Sequence, residues 1–163
     1  MNTIASKLSR KIEVKALIII LLFSSCQIKY SEIEVNLKYI IEHYKKEKVL
    51  NQKIYIVTGL DGCGLCKDYT VAFIEKNIMN QDFTFIVSGS SKVKMKNTFL
   101  SSTTLKSNFI QDTLSLGLHK NLANEHPKAY LCKQGKIIDF KEITFINADS
   151  IFKELIVFSK TNP

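Results

Sequence analysis

Lys53-Ile54-Tyr55-Ile56-Val57-Thr58-Gly59-Leu60-Asp61-Gly62-Cys63-Gly64-Leu65-Cys66 is the stretch that decides the fold. From Ile54 to Thr58 it is β-branched, aromatic and apolar, which suits a strand buried on both faces. Gly59, Asp61, Gly62 and Gly64 then make a flexible loop, and Val71, Phe73, Ile74 and Ile78 follow at helical spacing. Asp82 to Val87 reads as a second strand of the same buried kind. Strand, helix and strand in succession predict a parallel pair joined by a right-handed crossover.

This context gives the two cysteines their meaning. Cys63 falls at the start of the helix and Cys66 one turn inside it. Unpaired amides and the helix dipole stabilise a thiolate on Cys63, the species that attacks a disulfide. With Gly64 and Leu65 between them, the second sulfur can attack the resulting mixed disulfide and release the substrate. The bland alternative is a static structural disulfide.

Upstream, Ser31 to Leu50 places Ile33, Leu37, Ile40, Ile41 and Tyr44 on one helical face, with Ser31 as N-cap. Its run Lys45-Lys46-Glu47-Lys48 is either a solvated helix end or a contact for anionic lipid. Downstream, Ser90 to Leu105 reads as a helix, Phe109 to Thr113 as a short strand and His119 to Asn124 as a helical turn. Ala129 to Cys132, a turn at Lys133-Gln134-Gly135, and Lys136 to Ile143 form a hairpin. A terminal helix starts at Asn147 or Asp149 and bears Ile151, Phe152, Leu155, Ile156 and Phe158. Cys132, mid-strand among apolar neighbours, reads as a buried inert thiol rather than a redox partner, while His43 and His119 read as surface residues.

The amino terminus has the anatomy of a secretory leader: Lys7, Arg10, Lys11 and Lys15, the apolar run Ala16 to Phe23, then Ser24, Ser25 and Cys26. Even counted from Val14 with Lys15 inside, the apolar run is about half of the roughly 20 residues that a spanning helix needs. Small residues directly before a cysteine resemble the lipobox of bacterial lipoproteins, which implies that Cys26 becomes a lipidated first residue. The alternative is an ordinary secretory signal in which Cys26 is incidental. Either way the mature chain works where disulfides persist, outside the cytoplasm.

Composition bounds the rest. The chain has 163 residues, is 45% apolar, and holds six Gly and two Pro, which fits a compact globular domain and excludes disorder, collagen and repeat arrays. Its net charge of +8 points weakly to nucleic acid, because the basic residues of the mature part are scattered rather than gathered on one face. No nucleic-acid partner is expected.

From about residue 50 to 160 the chain resembles the thioredoxin superfamily, especially its extracytoplasmic, membrane-anchored branch. The resemblance is carried by the strand before Cys63-Gly64-Leu65-Cys66, the second parallel strand, and the segment Phe109 to Leu122, similar to the insertion that precedes the proline in that branch. It is carried also by His126-Pro127 opening the hairpin and by the final helix. The resemblance implies an α/β thioredoxin-like fold, a central mixed sheet flanked by helices, with an extra N-terminal helix. It implies Cys63 and Cys66 as the redox pair, Pro127 as a cis proline facing them, and His126, Gly64 and Leu65 as modulators, although His126 also reads as an ordinary loop histidine. Three positions depart from the family pattern: Gly62 stands where an aromatic is usual, no carboxylate stands in the first strand, and His126 replaces Thr or Val.

The expected organisation is therefore a signal peptide over 1–25, a lipid-anchored tether and amphipathic helix over 26–50, and a thioredoxin-like domain over 51–163. The expected function is extracytoplasmic thiol–disulfide exchange, needing no cofactor and assigning no metal ligands. Its implied partners are envelope proteins with thiols or disulfides, a membrane electron donor, and the membrane itself through Cys26. The expected location is the bacterial cell envelope, facing the periplasm. Two other readings stand beside it: a metal carrier, since a reduced cysteine pair plus one histidine suits Cu(I) or Zn(II), and a non-catalytic envelope interaction module.

Overall fold

The computed structural model describes residues 30–161, so the leader and Cys26 lie outside the described residues. The elements run α1 (Ser31–Lys45), β1 (Ile54–Gly59), α2 (Gly64–Asn77), β2 (Phe83–Ser88), α3 (Lys92–Thr98), α4 (Ser101–Thr104), β3 (Phe109–Asp112), α5 (Leu116–His119), β4 (Lys128–Lys133), β5 (Lys136–Glu142) and α6 (Ala148–Thr161). The strands form one sheet in the order β3-β2-β1-β4-β5. β1 is parallel to β2, and β2 to β3, whereas β4 is antiparallel to both β1 and β5. This mixed sheet with flanking helices is the thioredoxin-like α/β architecture expected, including the extra N-terminal helix.

β1 and β2 are buried along their whole length, as their nearly continuous apolar runs require. On one face Ile54, Ile56, Phe83, Phe85, Val87, Ala129 and Leu131 meet Phe73 and Ile74 of α2 and Ile151, Phe152 and Leu155 of α6. The Phe73 and Phe152 rings stack there at 4.2 Å between centroids. α1 takes the opposite face, where Lys45 Nζ donates to Thr84 Oγ1 and Leu37, Ile40 and Ile41 are fully buried. α1 stops at Lys45 rather than Leu50 because Lys46 turns left-handed, at φ 61°.

The hairpin turns at Gln134 and Gly135, both with positive φ of 52° and 75°, the conformation of a tight two-residue turn matched to strand twist. The helix expected over Ser90 to Leu105 is two short ones, α3 and α4. Phe99 is drawn into the core against Phe109, with ring centroids 5.0 Å apart, and the Glu75 carboxylate accepts the Leu100 N–H at 2.9 Å. The helical turn expected over His119 to Asn124 is instead α5, nucleated three residues earlier by Asp112, whose carboxylate accepts the Gly117 N–H at 2.7 Å. Among the described residues no helix is long and apolar enough to cross a membrane.

Candidate active site

The loop from β1 to α2 carries the cysteine pair to the surface. Cys63 is the N-cap of α2, and its Sγ accepts the Cys66 N–H at 3.3 Å. One of the amides that a helix leaves unpaired is thus aimed at this sulfur, where it and the helix dipole favour negative charge. Cys63 and Cys66 are joined as a disulfide with Cα atoms 5.3 Å apart. Cys63 is partly exposed, whereas Cys66 has no exposed surface. Cys63 is therefore the residue of the pair that reaches the surface, and Cys66 lies behind it. Gly64 and Leu65 form the outer surface of the pair, Leu65 being 61% exposed and the space around Gly64 open.

The segment before β4 comes to the pair from the other side. His126, partly buried, places Nδ1 3.5 Å from Cys66 Sγ. A disulfide sulfur has no proton to give, so in this state the ring nitrogen is the donor. The imidazole's polar contact is with the buried Cys66 rather than with the partly exposed Cys63. Pro127 is buried beside it, and its carbonyl accepts the Ile143 N–H at 2.8 Å.

One expectation is corrected. The described residues contain no cis peptide bond, so the His126–Pro127 bond is trans. Trans is the lower-energy form of such a bond by about 0.5–1 kcal/mol, and the segment reaches the cysteines through a different contact: the Cys63 N–H donates to the Glu125 carbonyl at 2.8 Å.

That contact also explains a departure seen in the sequence. A Cβ at position 62 would lie 2.5 Å from the Glu125 carbonyl oxygen, closer than any side chain tolerates, so only glycine lets the two loops meet. The Glu125 carbonyl is a site element that no local pattern in the sequence marks. Gly62, standing where the resemblance leads one to expect an aromatic, was the available signal.

A buried acid is likewise unmarked by any local pattern. Asp112, with no exposed surface, ends β3 and accepts from Ser88 Oγ at 2.6 Å, the Gly117 N–H at 2.7 Å and Tyr44 OH at 2.8 Å. Burial and then the Asp112 carboxylate hold the Tyr44 hydroxyl above its ordinary range. These bonds pin the ends of two strands to α1. Cys132 is a free thiol, 3% exposed, pushed up to about 12 by burial and secondarily by Glu34, which fits an inert core residue. His43 and His119 are exposed.

The site thus has a partly exposed cysteine at a helix start, a buried cysteine one turn along, and an imidazole against the buried one. A cysteine pair at this spacing and distance is compatible with thiol–disulfide redox chemistry. Comparison with known protein families and with curated proteins finds no match for this chain, so its functional reading rests on this site.

Proposed function

We propose that the protein is a thiol–disulfide oxidoreductase of the bacterial cell envelope, belonging to the thioredoxin superfamily and anchored by a lipid on Cys26. The observation that carries the reading is the asymmetry of the pair: Cys63 partly exposed at the helix start and Cys66 buried behind it. In the reducing direction the Cys63 thiolate attacks one sulfur of a substrate disulfide, and the other substrate sulfur leaves as a thiolate. Cys66, on losing its proton, attacks the Cys63 sulfur of the mixed disulfide. The substrate departs as a dithiol and the protein is left with the Cys63–Cys66 disulfide, two electrons having passed to the substrate. Leu65, exposed beside Cys63, offers the substrate an apolar contact, and envelope proteins with thiols or disulfides are the substrate class.

The direct test is exchange between the reduced protein and a protein disulfide. The parent reduces it, Cys63→Ser is inactive, and Cys66→Ser accumulates a mixed disulfide through Cys63. A parent that exchanges no faster than an unstructured dithiol leaves a structural disulfide on a binding module and sinks the proposal.

The anchor is tested separately by the intact mass of membrane-extracted protein. Loss of residues 1–25 with added acyl mass on Cys26 is expected, since Ser24 and Ser25 precede it. An unmodified start at another residue removes the anchor.

A further inference from the structure

The geometry points to a redox-gated metal site: with the disulfide opened, Cys63 Sγ, Cys66 Sγ and His126 Nδ1 bind one d10 cation of soft or borderline character, Zn(II) or Cu(I). The ligand atoms of these three residues all lie within 4.8 Å of one another, and among the described residues no other trio of His, Cys, Asp and Glu side chains converges so closely.

The separations suit an ion. Zinc bonds of about 2.3 Å to sulfur and about 2.0–2.1 Å to nitrogen, at tetrahedral angles, set sulfur and nitrogen about 3.5–3.6 Å apart. Cys66 Sγ and His126 Nδ1 are already at 3.5 Å. Two thiolates on one such ion stand about 3.8 Å apart by the same arithmetic, a separation the pair reaches when its bond opens while the Cα atoms stay near 5.3 Å. The two-residue spacing is one that zinc sites use, and thiolates with imidazole are the donors that select Zn(II) and Cu(I) over harder cations.

Three protein donors leave one position open, and the molecule leaves it on the outside. Cys63 is partly exposed, Gly64 is exposed, and nothing lies within 4 Å of where a Gly64 side chain would start. A fourth donor from water or a partner protein enters there, which marks an exchangeable site rather than a closed structural one.

Gating follows from the atoms. The reduced pair gives up two protons as it binds the ion, and the imidazole ligates through the Nδ1 lone pair with its proton on Nε2. Oxidation by a partner disulfide, which takes up the two electrons, converts both thiolates into the Cys63–Cys66 bond, after which neither sulfur holds the ion. Binding metal and exchanging disulfides are therefore mutually exclusive states of one site.

The inference shares with the proposed oxidoreductase only the premise that the pair can be opened, and the test separates them. Full-length protein is reduced, freed of reductant without oxygen, and titrated with Zn(II) alone and with Cu(I) alone against a chromophoric chelator of each; the tighter arm identifies the ion. One equivalent per chain is expected, with none on the oxidised protein. His126→Ala is expected to weaken binding by about tenfold or more, Cys66→Ser to abolish it, and Cys132→Ser to change nothing. In the unmodified chain, nitrogen-resolved NMR should show His126 Nδ1 moving on titration, a readout that needs no variant to fold. A reduced pair that exchanges disulfides yet takes up neither ion overturns the metal site alone. Uptake with His126 Nδ1 unmoved and His126→Ala as tight as the parent overturns this ligand set, and a pair that resists reduction overturns both readings.

Discussion

At its carboxyl end β1 gives way to glycines and to Cys63 at the start of α2; at its amino end it meets Cys132, whose N–H donates to the Lys53 carbonyl at 2.6 Å. Six residues at about 3.3 Å each separate the two settings. The same side chain is a partly exposed helix cap at one end and a sealed thiol at the other, pushed up to about 12 by burial. What differs is the backbone around it. The carboxyl end of a strand in a parallel unit opens into a loop and a helix start, which supply unpaired amides and room for a partner. The amino end is closed by the antiparallel β4 and by the neighbourhood of Glu34 and Lys38.

The largest expected effect comes from closing the room at the open end. Gly62→Val puts a branched side chain where even a Cβ lies 2.5 Å from the Glu125 carbonyl oxygen. The Glu125–His126 segment must retreat, taking with it the Cys63 N–H bond and the imidazole beside Cys66. A shift of about 1 Å in a reacting site costs on the order of a hundredfold in rate, so exchange with glutathione should fall by about that factor. Overpacking of this kind costs about 1–3 kcal/mol, so the variant should still fold. A folded Gly62→Val with the parent's exchange rate would mean that the clamp between the two loops does not set the reactivity of the open end.

The two ends also differ in how far sequence revealed them. The strand, loop and helix around Cys63 were legible because their signals are local: a β-branched run, three glycines and a helical period. The hairpin holding Cys132 was legible for the same reason, through Gln134-Gly135. What bound the site together was not. The bond from Cys63 to the Glu125 carbonyl spans 62 residues, and the peptide geometry at Pro127 is set by tertiary contacts that a resemblance does not encode. The break between α3 and α4 was hidden likewise, since the Glu75 carboxylate that caps α4 sits 25 positions away. His126 was singled out as a neighbour of the pair, but that it faces Cys66 depended on loop packing.

The smallest effect belongs to the sealed end, and it tests burial rather than reactivity. In the unfolded chain the Cys132 thiol ionises at its ordinary 9.0, whereas in the fold burial holds it protonated up to about 12. Between these values the folded state binds more protons than the unfolded one, so stability is fully present below pH 9 and declines as pH rises toward 12. The slope from this group approaches about 1.4 kcal/mol per pH unit. Tyr55 and Tyr130 are also held above their ordinary range by burial and add their own alkaline decline. The useful quantity is therefore the difference between the parent and Cys132→Val, which leaves both tyrosines in place. Urea unfolding at pH 8 and pH 10 measures it in a Cys63→Ser, Cys66→Ser background, where the unfolded Cys132 thiolate has no disulfide to attack and neither position 63 nor 66 titrates. The parent should lose about 1 kcal/mol more than the variant between the two conditions. Equal losses would mean that the Cys132 thiol ionises as readily in the fold as outside it, and the contrast between the two ends of β1 would then be one of access alone.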